Sequence, residues 1–137
     1  MNKEIFEAIP HRDPYLFVDK ILTLHENIIS AVKELTGKED FFKGHYPGRP
    51  IMPGALACEA IFQTGAILLS QKNKEITGVP VVTRVNNVRF KKMITPPTLI
   101  TMEAEIIHTI ANVYFFKGKV TAGEKVCVSC EFACTIA

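Results

Sequence analysis

Between positions 54 and 71 the chain reads GALACEAIFQTGAILLSQ, a stretch whose apolar residues, wound into a helix, leave no polar side. A surface helix keeps one face for water, so a helix of this kind must be surrounded. The bilayer is excluded as its surroundings. The apolar run 55–69 is shorter than the roughly 20 residues needed to span one, and it carries Glu59 and Gln63. The helix therefore has to be wrapped by the rest of a soluble domain.

What remains of the chain is strand-like. Residues 15–36 hold two β-rich runs separated by His25, Glu26 and Asn27, the composition of a hairpin loop. After the helix, which ends in a polar cluster at 71–75 with Gly78 beyond, strand patterns cover 79–91, 99–109, 113–121 and 125–136. They break at Pro96-Pro97, Ala111-Asn112 and Ala122-Gly123. Two strands, one helix and four strands give an α+β domain over 1–137. The expected arrangement is an antiparallel sheet of about six strands curved around one long central helix. A second copy is expected to cover whatever side of the helix the sheet leaves open, making a homodimer.

Charge and targeting signals narrow the function. Sixteen basic and fourteen acidic side chains give a net charge of +2, so there is no global field of the kind nucleic-acid binders carry. Residues 1–7 lack the basic start and apolar run of a secretory signal, which predicts a cytoplasmic protein with reduced thiols rather than disulfides. Cys127 and Cys130 form a C-x-x-C, but the surrounding KVCVSCEFACTI alternates like a strand, so the expected role is packing and not metal binding.

Two titratable residues stand out. Glu59 is the one charge on the apolar helix, and a desolvated carboxylate requires a hydrogen-bond partner or a proton-transfer role. A buried glutamate satisfied by backbone or water also meets that requirement. His45 lies in the segment 39–53, where three prolines and two glycines exclude regular structure and make a stiff loop. Histidine exchanges protons near neutrality, so a base and an acid are expected to face one cavity. Gly54 opens the helix, where unpaired N–H groups and the helix dipole can hold a carbonyl oxygen; a simple helix-start turn explains it equally well. Gln63, one turn beyond Glu59, is placed to orient the carboxylate.

His11-Arg12 followed by YLFVD, then GHYPGRPIMPG, Glu59-Ala60, Gln63 and Arg89-Phe90-Lys91-Lys92 occur in an order that resembles the 3-hydroxyacyl-acyl-carrier-protein dehydratases of bacterial fatty-acid synthesis, over nearly the whole chain. The resemblance implies the hot-dog fold and a dimer whose two sites each combine a histidine of one subunit with a glutamate of the other, three such dimers being the usual larger assembly. It implies His45 and Glu59 as the catalytic pair, Gly54 as the N–H donor to the thioester carbonyl, and no metal or cofactor. It further implies a substrate carried on the phosphopantetheine arm of acyl carrier protein; the basic cluster Arg84, Arg89, Lys91 and Lys92 fits a docking surface for that carrier and, equally, a plain solvated basic face. Ile61, Phe62, Phe90 and Met93 are candidate lining for an acyl tunnel, although residues of this kind are more often plain core. Relatives that also isomerise the product typically carry aspartate at the position of Glu59, which favours dehydration alone.

The sequence departs from the family pattern at Asp13, at Tyr46 in place of phenylalanine, and at Pro96-Pro97-Thr98 in place of a proline-glycine-aspartate turn. The last of these bears on the tunnel mouth or the docking surface. Fold alone would also host a thioesterase, a hydratase of coenzyme A esters, or a noncatalytic acyl-binding module. The loop-helix motif at 44–54 favours dehydration.

Overall fold

The computed structural model describes residues 3–74 and 77–137, so the first two positions of the stretch 1–7 and the last of the polar cluster 71–75 lie outside the described residues. The central helix, α2, runs Gly54–Lys72 after a short N-terminal helix, α1, at Lys3–Ala8. Six strands follow the expected order: β1 (Lys20–Leu24), β2 (Ile28–Leu35), β3 (Pro80–Phe90), β4 (Thr98–Ile110), β5 (Val113–Ala122) and β6 (Lys125–Ile136). They form a single antiparallel sheet in the order β1-β2-β4-β5-β6-β3. Among the described residues no helix is long and apolar enough to cross a membrane.

Alternation along the strands decides which face meets α2. In β4, Ile100, Met102, Ala104 and Ile106 are buried, while Thr101, Glu103 and Glu105 between them are less covered. In β5 and β6 the inward positions include Phe116, Val120, Val128, Cys130 and Phe132. A large apolar side chain taken from water in this way contributes about 1.5–3 kcal/mol. Two glycines let helix and sheet approach closely. A Cβ on Gly118 would collide with Ile61 Cγ2, and one on Gly65 would press on the stacked rings of Phe116 and Phe132.

The structure corrects three local expectations. Residues 15–18 do not join the sheet, although their composition is strand-like, because the Tyr15 carbonyl and the Phe17 N–H bond to the side chain of Gln63 on α2. The loop before α2 is not wholly irregular. Asp40–Lys43 forms a 3-10 turn in the part that has no proline. Helix α1 was not anticipated; it is six residues long, and Ile5 together with Ile9 just beyond its end is buried in the core.

Strand β3 is the sheet edge nearest the site, and every residue from Val81 to Phe90 is exposed. On α2 the least covered strip runs through Ala55, Glu59 and Phe62, spaced three to four residues apart. A bare edge and an uncovered helix strip on one chain leave apolar surface available for a partner.

Candidate active site

The loop holding His45 is fixed by backbone geometry. Tyr46 adopts the left-handed region at φ 53° and Gly48 at φ 86°, and the Arg49 N–H donates to the Tyr46 carbonyl at 2.9 Å, closing a tight turn. The far end of the loop is tied to the segment after β3 by the Met52 N–H, which donates to the Ile94 carbonyl at 2.9 Å. His45 Nδ1 lies 2.7 Å from the Ile51 carbonyl. A carbonyl can only accept, so Nδ1 carries the proton and Nε2 keeps a free lone pair, the form of imidazole that acts as a base.

His45 and Gly54 line one cavity of about 680 Å³ together with Tyr46, Met52, Phe90 and Met93. Helix α2 begins there at Gly54, with Pro53 in the capping position and no side-chain cap, so the first N–H groups of the helix have no helical acceptor. A Cβ on Gly54 would come within 2.5 Å of Phe90 Cε1, so any side chain there displaces that ring. The close approach that glycine permits at this point is first of all to Phe90.

Glu59 lines a different cavity, of about 290 Å³, with His11, Phe62, Gln63, Pro80, Val81 and Val82 among its neighbours. The carboxylate is not sealed in the core, since its side chain keeps 20% exposure. Gln63, 1% exposed, holds it. Its Oε1 accepts from the Phe17 N–H at 2.8 Å, which fixes the amide orientation and turns Nε2 toward the Tyr15 carbonyl at 2.8 Å and Glu59 Oε2 at 3.0 Å. One buried amide thus joins α2 to the segment before β1 and aims the carboxylate.

The remaining predicted residues divide. Phe90 and Met93 border the His45 cavity, and Phe62 borders the Glu59 cavity. Ile61 lines neither of the two; it is fully buried against the gap left by Gly118, and its role is core packing rather than tunnel wall. The basic cluster is split as well. Lys91 and Lys92 border the His45 cavity, whereas Arg89 borders a separate depression beside Glu103, Glu105 and Glu131, and Arg84 borders neither. In the C-x-x-C, Cys127 is the unpaired residue of a bulge in β6, and Cys130 faces Cys58 of α2 instead. The hydrogen bond to the Cys58 thiol and then burial push the Cys130 thiol far up, and burial alone pushes Cys134 to about 12, so both stay protonated and unreactive.

Two residues beside Glu59 were not anticipated as parts of a site. His11 Nε2 lies 3.6 Å from Glu59 Oε2. Burial, and then the negative charge of Glu59, raise the Tyr15 hydroxyl above its ordinary value, so it remains a proton donor. Both belong to the stretch HRDPYLFVD, whose order in the sequence marked a resemblance but gave no reason for contact with α2.

A protein-family model described as a FabA-like domain matches residues 9–131. The 3-hydroxyacyl-[acyl-carrier-protein] dehydratase FabZ of Petrotoga mobilis is 40% identical over 129 residues, covering 94% of this chain and 92% of that protein. The FabZ of Caulobacter vibrioides is 39% identical over 137 residues, with 97% and 86% covered, and that of Clostridium perfringens 40% over 128 residues, with 93% and 92%. Among solved structures, the dehydratase heterocomplex ApeI:P from Xenorhabdus doucetiae matches with a TM-score of 0.83 at 14% identity, covering 97% of this chain and 90% of that one. Protein PH1136 from Pyrococcus horikoshii matches at 0.68 and 17% identity, covering 91% and 87%. The solved structures speak for the fold and the sequence relatives for the lineage: this chain belongs to the FabA-like family, among its hot-dog 3-hydroxyacyl-[acyl-carrier-protein] dehydratases.

Proposed function

We propose that the chain removes water from (3R)-3-hydroxyacyl groups on acyl carrier protein, giving the trans-2-enoyl thioester of fatty-acid elongation, in a site that two copies build together. His45 Nε2 takes the α-proton. Glu59, carrying a proton on the oxygen that Gln63 leaves free, gives it to the departing β-hydroxyl and holds the water formed. The proton on His45 passes back to the carboxylate through that water before the next turnover. The N–H of Gly54 receives the charge that gathers on the thioester oxygen. The reading needs no metal or cofactor.

One observation carries the two-chain site. Within a single chain His45 and Glu59 line separate cavities, and these cavities border opposite ends of the exposed strand β3: Pro80, Val81 and Val82 at one, Phe90 and the residues just after it at the other. Two β3 strands paired antiparallel about a two-fold axis set the start of one beside the end of the other. The Glu59 cavity of each chain then meets the His45 cavity of its partner. The same pairing covers Val81, Val82, Val85 and Val88, which a lone chain leaves 36–41% exposed. A trimer of such dimers is the larger assembly this reading allows.

Lys91 and Lys92 at the rim of the His45 cavity support approach by an acidic carrier protein, with the phosphopantetheine arm entering there. Phe90, Met93 and, from the partner, Phe62 offer apolar wall for the acyl chain. The carrier-bound substrate and four buried free thiols fit a cytoplasmic enzyme.

Turnover of a 3-hydroxyacyl carrier thioester, followed by the absorbance of the conjugated product, tests the reading. His45→Ala and Glu59→Ala should each lose about 10²-fold or more. Mixing the two inactive variants under exchange should restore about a quarter of wild-type activity, because half the dimers then carry one intact site. No recovery on mixing, with exchange demonstrated, would refute the shared site, and release of free thiol in place of enoyl product would point to a thioesterase.

A further inference from the structure

Helix α1 and the residues after it form a clasp that ends on the carboxylate of Glu59. Buried Ile5 and Ile9 anchor the helix in the core. Arg12 then closes its C-terminal end: Nη2 donates to the Phe6 carbonyl at 3.0 Å, and Nη1 donates to the carbonyls of Ile9 at 2.9 Å and His11 at 2.7 Å. The guanidinium also lies 4.8 Å from the centroid of the Phe6 ring. These bonds satisfy carbonyls that the helix end leaves open and fix the backbone on both sides of His11.

The imidazole they position stacks beside Tyr15, with ring centroids 6.3 Å apart and planes 20° from parallel, and sets Nε2 3.6 Å from Glu59 Oε2. His11 Nδ1 is buried with no hydrogen-bond partner among the described residues. That asymmetry selects a tautomer. A proton on Nδ1 would bury an unpaired donor and turn the Nε2 lone pair toward a carboxylate, whereas a proton on Nε2 faces an acceptor. Glu59 Oε2 therefore accepts a hydrogen bond from Gln63 of its own helix and faces the His11 Nε2–H of the N-terminal segment at 3.6 Å, an electrostatic contact longer than a hydrogen bond. The Tyr15 hydroxyl, from the same segment as His11, also interacts with Glu59, and the Cys134 thiol of β6 lines the cavity, to which β3 adds only Pro80, Val81 and Val82.

We infer that His11 is a positioning residue for the dehydration: its Nε2–H, held in place by the α1–Arg12 clasp, fixes the carboxylate of Glu59 at the angle the proton transfer requires. The inference rests on the assignment of Glu59 made under the proposed function, and it adds a residue that acts through that carboxylate without touching substrate.

The test compares kcat, KM and melting temperature on a 3-hydroxyacyl carrier thioester for wild type, His11→Ala, His11→Gln, Glu59→Ala and the double variant His11→Ala/Glu59→Ala. Misplacing a catalytic group by about an ångström costs up to about 10²-fold, so His11→Ala should lower kcat by about 10-fold to 10²-fold with KM nearly unchanged. His11→Gln, whose amide offers an N–H at similar reach, should recover most of that loss. The double variant should be no slower than Glu59→Ala alone, since nothing is left to position. Wild-type kcat in His11→Ala overturns the inference. So does an equal loss from His11→Ala in the Glu59→Ala background, or a loss that tracks melting temperature and is not recovered by His11→Gln. Full turnover in Glu59→Ala would instead remove the carboxylate itself from the reaction, and that failure of the parent reading is visible in the single variant.

Discussion

The loop that carries His45 is fixed by its own main chain, whereas the carboxylate of Glu59 is fixed by side chains reaching across long sequence separations. On the loop side, a left-handed Tyr46, a left-handed Gly48 and the carbonyl of Ile51 set the imidazole within six residues, and one longer tie, from the Met52 N–H to the Ile94 carbonyl, holds the far end. On the helix side, Gln63 spans 46 and 48 residues to reach Phe17 and Tyr15, and His11 comes from beyond them. A base that needs one tautomer can be served by a single local carbonyl. In the proposed two-chain site the carboxylate has to be aimed at a partner's cavity, and it is approached from two directions, by Gln63 and by His11.

That contrast can be broken most forcefully at Gln63. Gln63→Leu leaves the buried Phe17 N–H without its acceptor, at about 1–3 kcal/mol, and frees the carboxylate, so a melting-temperature loss should accompany a drop in kcat of about 10-fold or more. Stability loss with unchanged turnover would show that aiming does not matter. The loop side should respond to a purely backbone change. Gly48→Ala meets no atom within 4 Å, so its cost of about 1 kcal/mol comes from the left-handed φ alone. Turnover should fall with it, by less than in Gln63→Leu, and a variant as stable as wild type would deny that this backbone is tightly specified.

The smallest effect concerns the foot of the loop. Burial favours the neutral form of Glu39, but N–H donors from Thr36 and Gly37 outweigh it and hold the carboxyl below its ordinary 4.5. Its contribution is complete above that value and is lost as pH falls through the lower folded-state value. The stability difference between wild type and Glu39→Gln, read by denaturant titration, should therefore shrink steadily below about pH 4.5. A difference independent of pH would mean that the turn does not depend on the charge.

The two sides also differ in how readable they were. Helix α2 ends within one residue of its expected limits, because all-round apolarity and the flanking Gly and Pro signals are local properties. His45, Gly54, Glu59 and Gln63 stand out as candidates through equally local signals, a histidine in a proline-rich loop, a glycine at a helix start and two polar residues on an apolar helix. The segment 15–18 misled, since its alternation is that of a strand while its peptide groups serve a glutamine 46 and 48 residues away. His11 carried no signal of its own beyond its place in a motif. Ile61 shows the complementary limit: an apolar residue on an apolar helix looks the same whether it lines a channel or fills the gap over Gly118.

The uncovered strand β3 has a consequence for the living cell. In the proposed two-copy site each half of the chemistry lies at one end of that strand, so a lone polypeptide would be inert until it paired, and output at low abundance would climb more steeply than protein level.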